Sequence, residues 1–149
     1  MQVHLPLSQP VYIFILWLGA WDQLLGNYNG ICIMSLGFMM SRCLSGIGVI
    51  TFPKARTDGT VAEFSRNASE IAVRNVLITM FVILAALMIW VDPVLGVLAA
   101  VSALLVFWWY HYMALKYFGG TTGDLSGFFL CICEVVMALV LALGGTFNL

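Results

Sequence analysis

Two long apolar runs of this chain are joined by Gly119-Gly120-Thr121-Thr122-Gly123-Asp124-Leu125-Ser126-Gly127, which sets four glycines, two threonines and a carboxylate at one junction. Such a cluster has two physical explanations. Gly119, Gly123 and Gly127 recur at i, i+4 and i+8, a small-residue stripe that lets helices approach closely. Alternatively, Thr121, Thr122 and Asp124 crowd the start of a helix, where unpaired N–H groups and the helix dipole favour phosphate oxygens. Asp124 is suited to cap that helix. It can also hold a pyrophosphate through Mg²⁺, which uses one or two carboxylates plus substrate oxygens. We read both roles in the segment. Asp124 is the candidate metal ligand, and Gly119, Gly120, Thr121, Thr122 and Gly123 are candidate phosphate contacts.

Other charges bear on the same chemistry. Lys54 and Arg56 stand in Pro53-Lys54-Ala55-Arg56-Thr57-Asp58-Gly59, and basic residues beside a membrane act as topology anchors. Arg42 and Glu134 lie inside apolar runs, roughly 16 Å and 15 Å from the same end at about 1.5 Å per residue. A lone charge at such depth costs about 2.5–3.5 kcal/mol on insertion scales, so these residues pair or line a polar cavity. Similar depth makes each the other's expected partner, either as a structural ion pair or as substrate contacts at a cavity floor. His111 sits among Trp108, Trp109, Tyr110 and Tyr112, which read as an interfacial aromatic belt. Cys131 and Cys133 fall on different helix faces, and no His/Cys set has zinc spacing. No Ser-His-Asp arrangement, P-loop or Rossmann glycine pattern occurs.

Composition sets the medium in which these groups work. Of 149 residues, 62% are hydrophobic and 9% charged, against about 25% charged in soluble domains. A net charge of −1 without a basic stripe excludes electrostatic nucleic-acid binding. Five apolar runs, at about 10–25, 31–52, 73–91, 94–115 and 125–146, approach the roughly 17–25 residues of a membrane helix. The first is short and weak. The runs are continuously apolar rather than alternating, against a closed barrel. The expected fold is all-α, a polytopic transmembrane bundle of about five helices forming one domain over 1–149.

Sidedness follows from the basic residues. Lys54, Arg56, Arg66, Arg74 and Lys116 all fall in or beside the second and fourth connections, and the positive-inside rule makes that side cytoplasmic. Residues 53–59 and 119–124 therefore face one compartment and are expected to build one site. The Asn67-Ala68-Ser69 sequon lies on that side too, where glycosylation is not expected.

Phe118-GGTTGDLSGFFL followed by Glu134, together with Ser41-Arg42-Cys43-Leu44-Ser45-Gly46 running into Phe52-Pro53-Lys54-Ala55-Arg56-Thr57-Asp58-Gly59-Thr60, resembles the adenosylcobinamide-GDP ribazoletransferase (cobalamin synthase) family. The two motifs stand in the family's order at about its spacing, and the resemblance covers roughly residues 11–146. It implies a Mg²⁺-dependent enzyme of the bacterial inner membrane that joins α-ribazole, or its 5′-phosphate, to adenosylcobinamide-GDP and releases GMP. It further implies that Asp124 assists the metal, that Thr121 and Thr122 cradle phosphate oxygens, that Lys54 and Arg56 bind a phosphate, and that Arg42 reaches in from the cavity floor.

The family also carries an aspartate-rich motif of the D-G-x-x-D-x-x-D-G kind and a Met-Lys-Asp segment in its N-terminal half. Neither occurs here: Asp22, Asp58, Asp92 and Asp124 are far apart. The resemblance is thus to the C-terminal portion, and the expected partners are the two substrates, the bilayer, and a separate N-terminal half or a second copy. The chain alone is expected to be inactive. The alternative is a non-catalytic remnant or interaction subunit that keeps the membrane scaffold.

Overall fold

The computed structural model of the chain describes residues 8–52 and 70–146. Five helices run through them: α1 (Ser8–Leu24), α2 (Tyr28–Thr51), α3 (Glu70–Val91), α4 (Pro93–Phe118) and α5 (Gly123–Thr146). Four, α2 to α5, are long and apolar enough to cross a bilayer, and the apolar part of α1 (Val11–Leu24) is shorter. The all-α membrane bundle expected from the apolar runs is what the chain forms. Large apolar side chains such as Val82, Ile83, Leu105 and Leu143 face outward, as they must where the surrounding solvent is lipid.

Each turn has a local cause. Asn27 caps α2, its Oδ1 accepting from the Gly30 N–H at 3.2 Å. Asp92 caps α4, its Oδ1 accepting from the Val94 and Leu95 N–H groups at 3.1 Å each, while Pro93 fills the first helical position, where a missing N–H costs nothing. α4 ends three residues beyond its apolar run because Gly119 takes the left-handed conformation (φ 66°). There the Gly119 and Gly120 N–H groups both reach the Ala114 carbonyl, an arrangement for which glycine is strongly preferred.

That corner corrects two expectations about residues 119–127. Gly119 belongs to a helix terminus, and among the described residues a Cβ at Gly119 or Gly127 would meet nothing within 4 Å, so these two glycines form no packing stripe. Their spacing is interrupted because the chain reverses between α4 and α5. Asp124 does not cap α5 either. Thr122 does, its Oγ1 accepting from the Leu125 N–H at 3.3 Å and its carbonyl from the Ser126 N–H at 3.0 Å. Asp124 is then the second helical residue, exposed in the first turn.

α2 is the central helix, packed on α3, α4 and α5, while α5 also touches α4 and α1. Met34, Met40, Met88, Tyr110, Phe129 and Met137 fill the space between them and are essentially without exposure. The close glycine contacts lie here: Gly37 faces Met137, and Gly48 lies against Tyr110, Phe52 and Phe107. α1 packs on α5 with Ala20 and Leu24 buried, and its Trp21 stacks on Phe38 of α2, while most of its earlier residues from Val11 to Leu18 are exposed.

Candidate functional site

The Thr51 end of α2, the last turns of α4 and the start of α5 come together at one end of the bundle. Phe52 packs on Phe107, Tyr110 and His111, with ring centroids 5.4, 5.6 and 4.3 Å away, and Tyr110 stacks on Phe129 at 4.8 Å. Tyr110 is therefore a core residue and not part of the exposed aromatic belt, which Trp108, Trp109 and Tyr112 do form. Its position one and two turns after Val106 and Ala103, on the buried face of α4, is the signal that places it inside. His111 is half-buried against Phe52.

Inside that aromatic floor the Tyr110 hydroxyl and Thr121 Oγ1 are 2.5 Å apart, and both are buried. Thr121 is committed to this bond, which fixes the corner rather than offering its hydroxyl to solvent. Replacing it by valine keeps the volume and removes the hydroxyl. We expect Thr121→Val to cost about 1–3 kcal/mol, because the Tyr110 hydroxyl is left buried without its partner. Adding Tyr110→Phe should recover much of that loss. A double-mutant cycle by denaturation in detergent checks it, and additive costs would show that the two hydroxyls do not couple.

Thr122 and Asp124 lie on the outer side of the same corner. The Gly123 and Asp124 N–H groups have no acceptor among the described residues, so the first turn of α5 presents donors and the positive end of its dipole beside an exposed carboxylate. Among the described residues there is no group of three or more His, Cys, Asp or Glu side chains arranged to hold a metal ion. Asp124 alone fits the Mg²⁺ pattern in which one carboxylate is joined by substrate phosphates. Lys54 and Arg56, with the rest of 53–69, lie outside the described residues. Lys116 closes α4 nearby, its Nζ donating to the Tyr112 hydroxyl at 3.1 Å.

A polar ladder leads from this corner into the membrane along the antiparallel α2–α5 seam. Ser45 Oγ and Ser126 Oγ are 2.5 Å apart near its mouth. Deeper, the Ser41 hydroxyl lies 2.9 Å from the Phe38 carbonyl and 3.4 Å from Glu134 Oε1. Arg42 Nη2 stands 3.9 Å from the same carboxylate oxygen, so the two charges are within ion-pair reach. The pair is not buried on both sides: the Arg42 side chain is 69% exposed and that of Glu134 17%. The cost of about 3–5 kcal/mol for breaking a fully buried pair therefore does not apply to Arg42 in this chain. Ser45 and Ser126 stand inside the two sequence motifs, but their bond across the seam carries no sequence signal, since it depends on which helix lies opposite.

Residues 10–142 match the protein family described as cobalamin-5-phosphate synthase. The chain belongs to this family. A curated member, adenosylcobinamide-GDP ribazoletransferase of Lachnoclostridium phytofermentans, is 38% identical over 133 residues, which are 88% of this chain and 50% of that protein. The chain thus spans about half the length of the curated relative it matches. No solved structure matches it. In cobalamin-5-phosphate synthase terms, the matched stretch contains the whole α4–α5 corner and the polar ladder behind it.

Proposed function

We propose that the chain is the membrane-embedded C-terminal portion of an adenosylcobinamide-GDP ribazoletransferase, joining α-ribazole or its 5′-phosphate to adenosylcobinamide-GDP with release of GMP. The observation that carries this reading is the 38% identity over 133 residues with a ribazoletransferase. The α5 N-terminus supports it, since N–H groups without an acceptor among the described residues and a helix dipole suit the pyrophosphate that such a reaction must cleave. One P–O bond of that pyrophosphate breaks, the acceptor oxygen forms the new one, and GMP carries away the negative charge.

The roles of the chain's own groups follow from their places. The Gly123 and Asp124 N–H groups hold phosphate oxygens, the Thr122 cap keeps that turn open, and the Tyr110–Thr121 bond fixes its angle to α4. Lys54 and Arg56 contribute charge to the same phosphates. Asp124 is the residue that would hold Mg²⁺, and the ion when bound would supply neutralising charge to the pyrophosphate. Asp124→Asn removes the carboxylate charge and is expected to weaken Mg²⁺-dependent binding of adenosylcobinamide-GDP by about tenfold or more, with no change in helix content. Titration of the nucleotide with and without Mg²⁺ reads this directly. Unchanged Mg²⁺ dependence would take the metal away from Asp124.

We further propose that residues 54–74 and 116–124 face the cytoplasm of a bacterial inner membrane and that the C-terminus lies outside. The one-sided basic residues support it. Single cysteines at 58 and 124, in a chain with the native cysteines replaced, should both be labelled by an impermeant reagent in inverted vesicles and spared in intact cells. Labelling from opposite sides ends the shared-site arrangement.

A further inference from the structure

Arg42 poses a problem that the transferase reading does not solve. It lies about two and a half turns before the Thr51 end of α2, too deep to reach the interface as basic residues at helix ends do. Yet its side chain is 69% exposed. A guanidinium has five N–H donors, and among the described residues Arg42 makes no hydrogen bond, its one charged neighbour being Glu134 at 3.9 Å. α1 leaves this position open: it packs on α5 and reaches α2 through Trp21, which stacks on Phe38, while the Arg42 side chain stays exposed.

We propose that the face carrying Ser35, Met39 and Arg42 on α2, with Gly127 and Cys131 beside Glu134 on α5, is the docking surface for a further transmembrane helix that presents a carboxylate at the depth of Arg42. These α2 and α5 positions recur at i, i+4 and i+7, so each set forms one helical face, and all except the recessed Glu134 are exposed. Gly127 has open space around it, which lets a neighbouring backbone come close.

Charge selects the occupant. Among the described residues the Arg42 fork makes no hydrogen bond, its Glu134 neighbour at 3.9 Å being beyond that reach, and a planar fork of donors is the geometry a carboxylate accepts with two parallel bonds. A second copy suits the face less well, since the carboxylate it would offer, Glu134, is recessed and already shared with its own Ser41 and Arg42. Lipid tails offer no acceptor at all. The curated relative has as many residues outside the matched half as within it, room for such helices. The inference rests on the chain spanning a bilayer and is independent of the reaction.

The test uses the full chain in phosphatidylcholine vesicles and a dansyl-labelled leucine-alanine transmembrane peptide with one central Glu, compared with the same peptide carrying Leu there. Energy transfer from the chain's native tryptophans reports association. The Glu peptide should bind about three- to tenfold more tightly than the Leu peptide, and Arg42→Leu should abolish the difference. Circular dichroism and thermal unfolding of Arg42→Leu check that it still folds. That variant should be at least as stable as the parent, whereas an Arg42 that locks α2 to α5 internally would leave it weaker. Equal binding of the two peptides, or a Glu preference that survives Arg42→Leu, overturns the proposal. So does a chain dimer at the same lipid density that dissociates on Arg42→Leu, which would assign the face to a second copy.

Discussion

Replacing Gly96 by leucine is expected to break the α3–α4 hairpin. A Cβ at Gly96 would overlap the Met88 carbonyl and fall 2.7 Å from the Ile89 nitrogen, backbone atoms of the last turns of α3. Backbone cannot swing aside as a flexible side chain can, so α4 must lift away from α3. Lifting it strains the Asp92 turn, where the Asp92 N–H donates to the Met88 carbonyl and the Asp92 carbonyl accepts from Gly96. Alanine is the sharper probe because two terms oppose. Helix propensity favours alanine over glycine by about 1 kcal/mol, while overpacking costs about 1–3 kcal/mol and more where nothing relaxes. With backbone on the receiving side, the steric cost wins. Gly96→Ala should lower the unfolding midpoint in detergent, and Gly96→Leu should leave no cooperative transition. Gly127→Ala is the control: it is exposed, with nothing near its Cβ, and should be neutral or slightly stabilising. A Gly96→Ala protein as stable as the parent would mean that the two helices are not in this contact.

These two glycines also show where sequence was and was not enough. Apolar run length placed all five helices to within a few residues, because in lipid every backbone group must be satisfied within its own helix and little else can vary. The Arg42–Glu134 approach was legible for a related reason: charges at equal depth have few alternatives. What the glycines do was not legible. Gly119, Gly123 and Gly127 have the spacing of a packing stripe, but Gly119 sits in a left-handed turn that resets the helical phase. Gly96 and Gly48, which do touch neighbours, carry no pattern at all, since close approach depends on which helix lies opposite. The same limit hid Tyr110. Its neighbours Trp108, Trp109 and Tyr112 are exposed and pulled it into a belt by composition, while its contact with Thr121 needs the α4–α5 corner to exist first. At the start of α5, the cap expected of Asp124 falls to Thr122. A threonine directly before a glycine at a helix start satisfies the cap as well as an aspartate two residues later would.

The largest functional effect is expected from adding chain, not from changing a residue. Phosphoryl transfer needs the acceptor oxygen held in line with the phosphorus and the charge on the leaving phosphate neutralised. At the start of α5 the described residues bring one exposed carboxylate, Asp124, and two free N–H groups, with no further acidic side chain gathered around it. On the proposed reading, this holds a phosphate, and the charge needed for its displacement comes from the half this chain does not span. The 149 residues alone, reconstituted with adenosylcobinamide-GDP, α-ribazole and Mg²⁺, should therefore release no GMP above background. Co-reconstitution with the unmatched half of the Lachnoclostridium relative should restore release. Asp124→Asn in that pair should slow it on the order of a hundredfold, as loss of one element of transition-state charge stabilisation does. The full-length relative is the positive control. Robust release from the 149 residues alone would place the catalytic groups within this chain and away from the arrangement argued for Asp124. A pair that stays silent beside an active full-length relative would sink the transferase reading, because the α4–α5 corner would then hold its fold without completing the site it resembles.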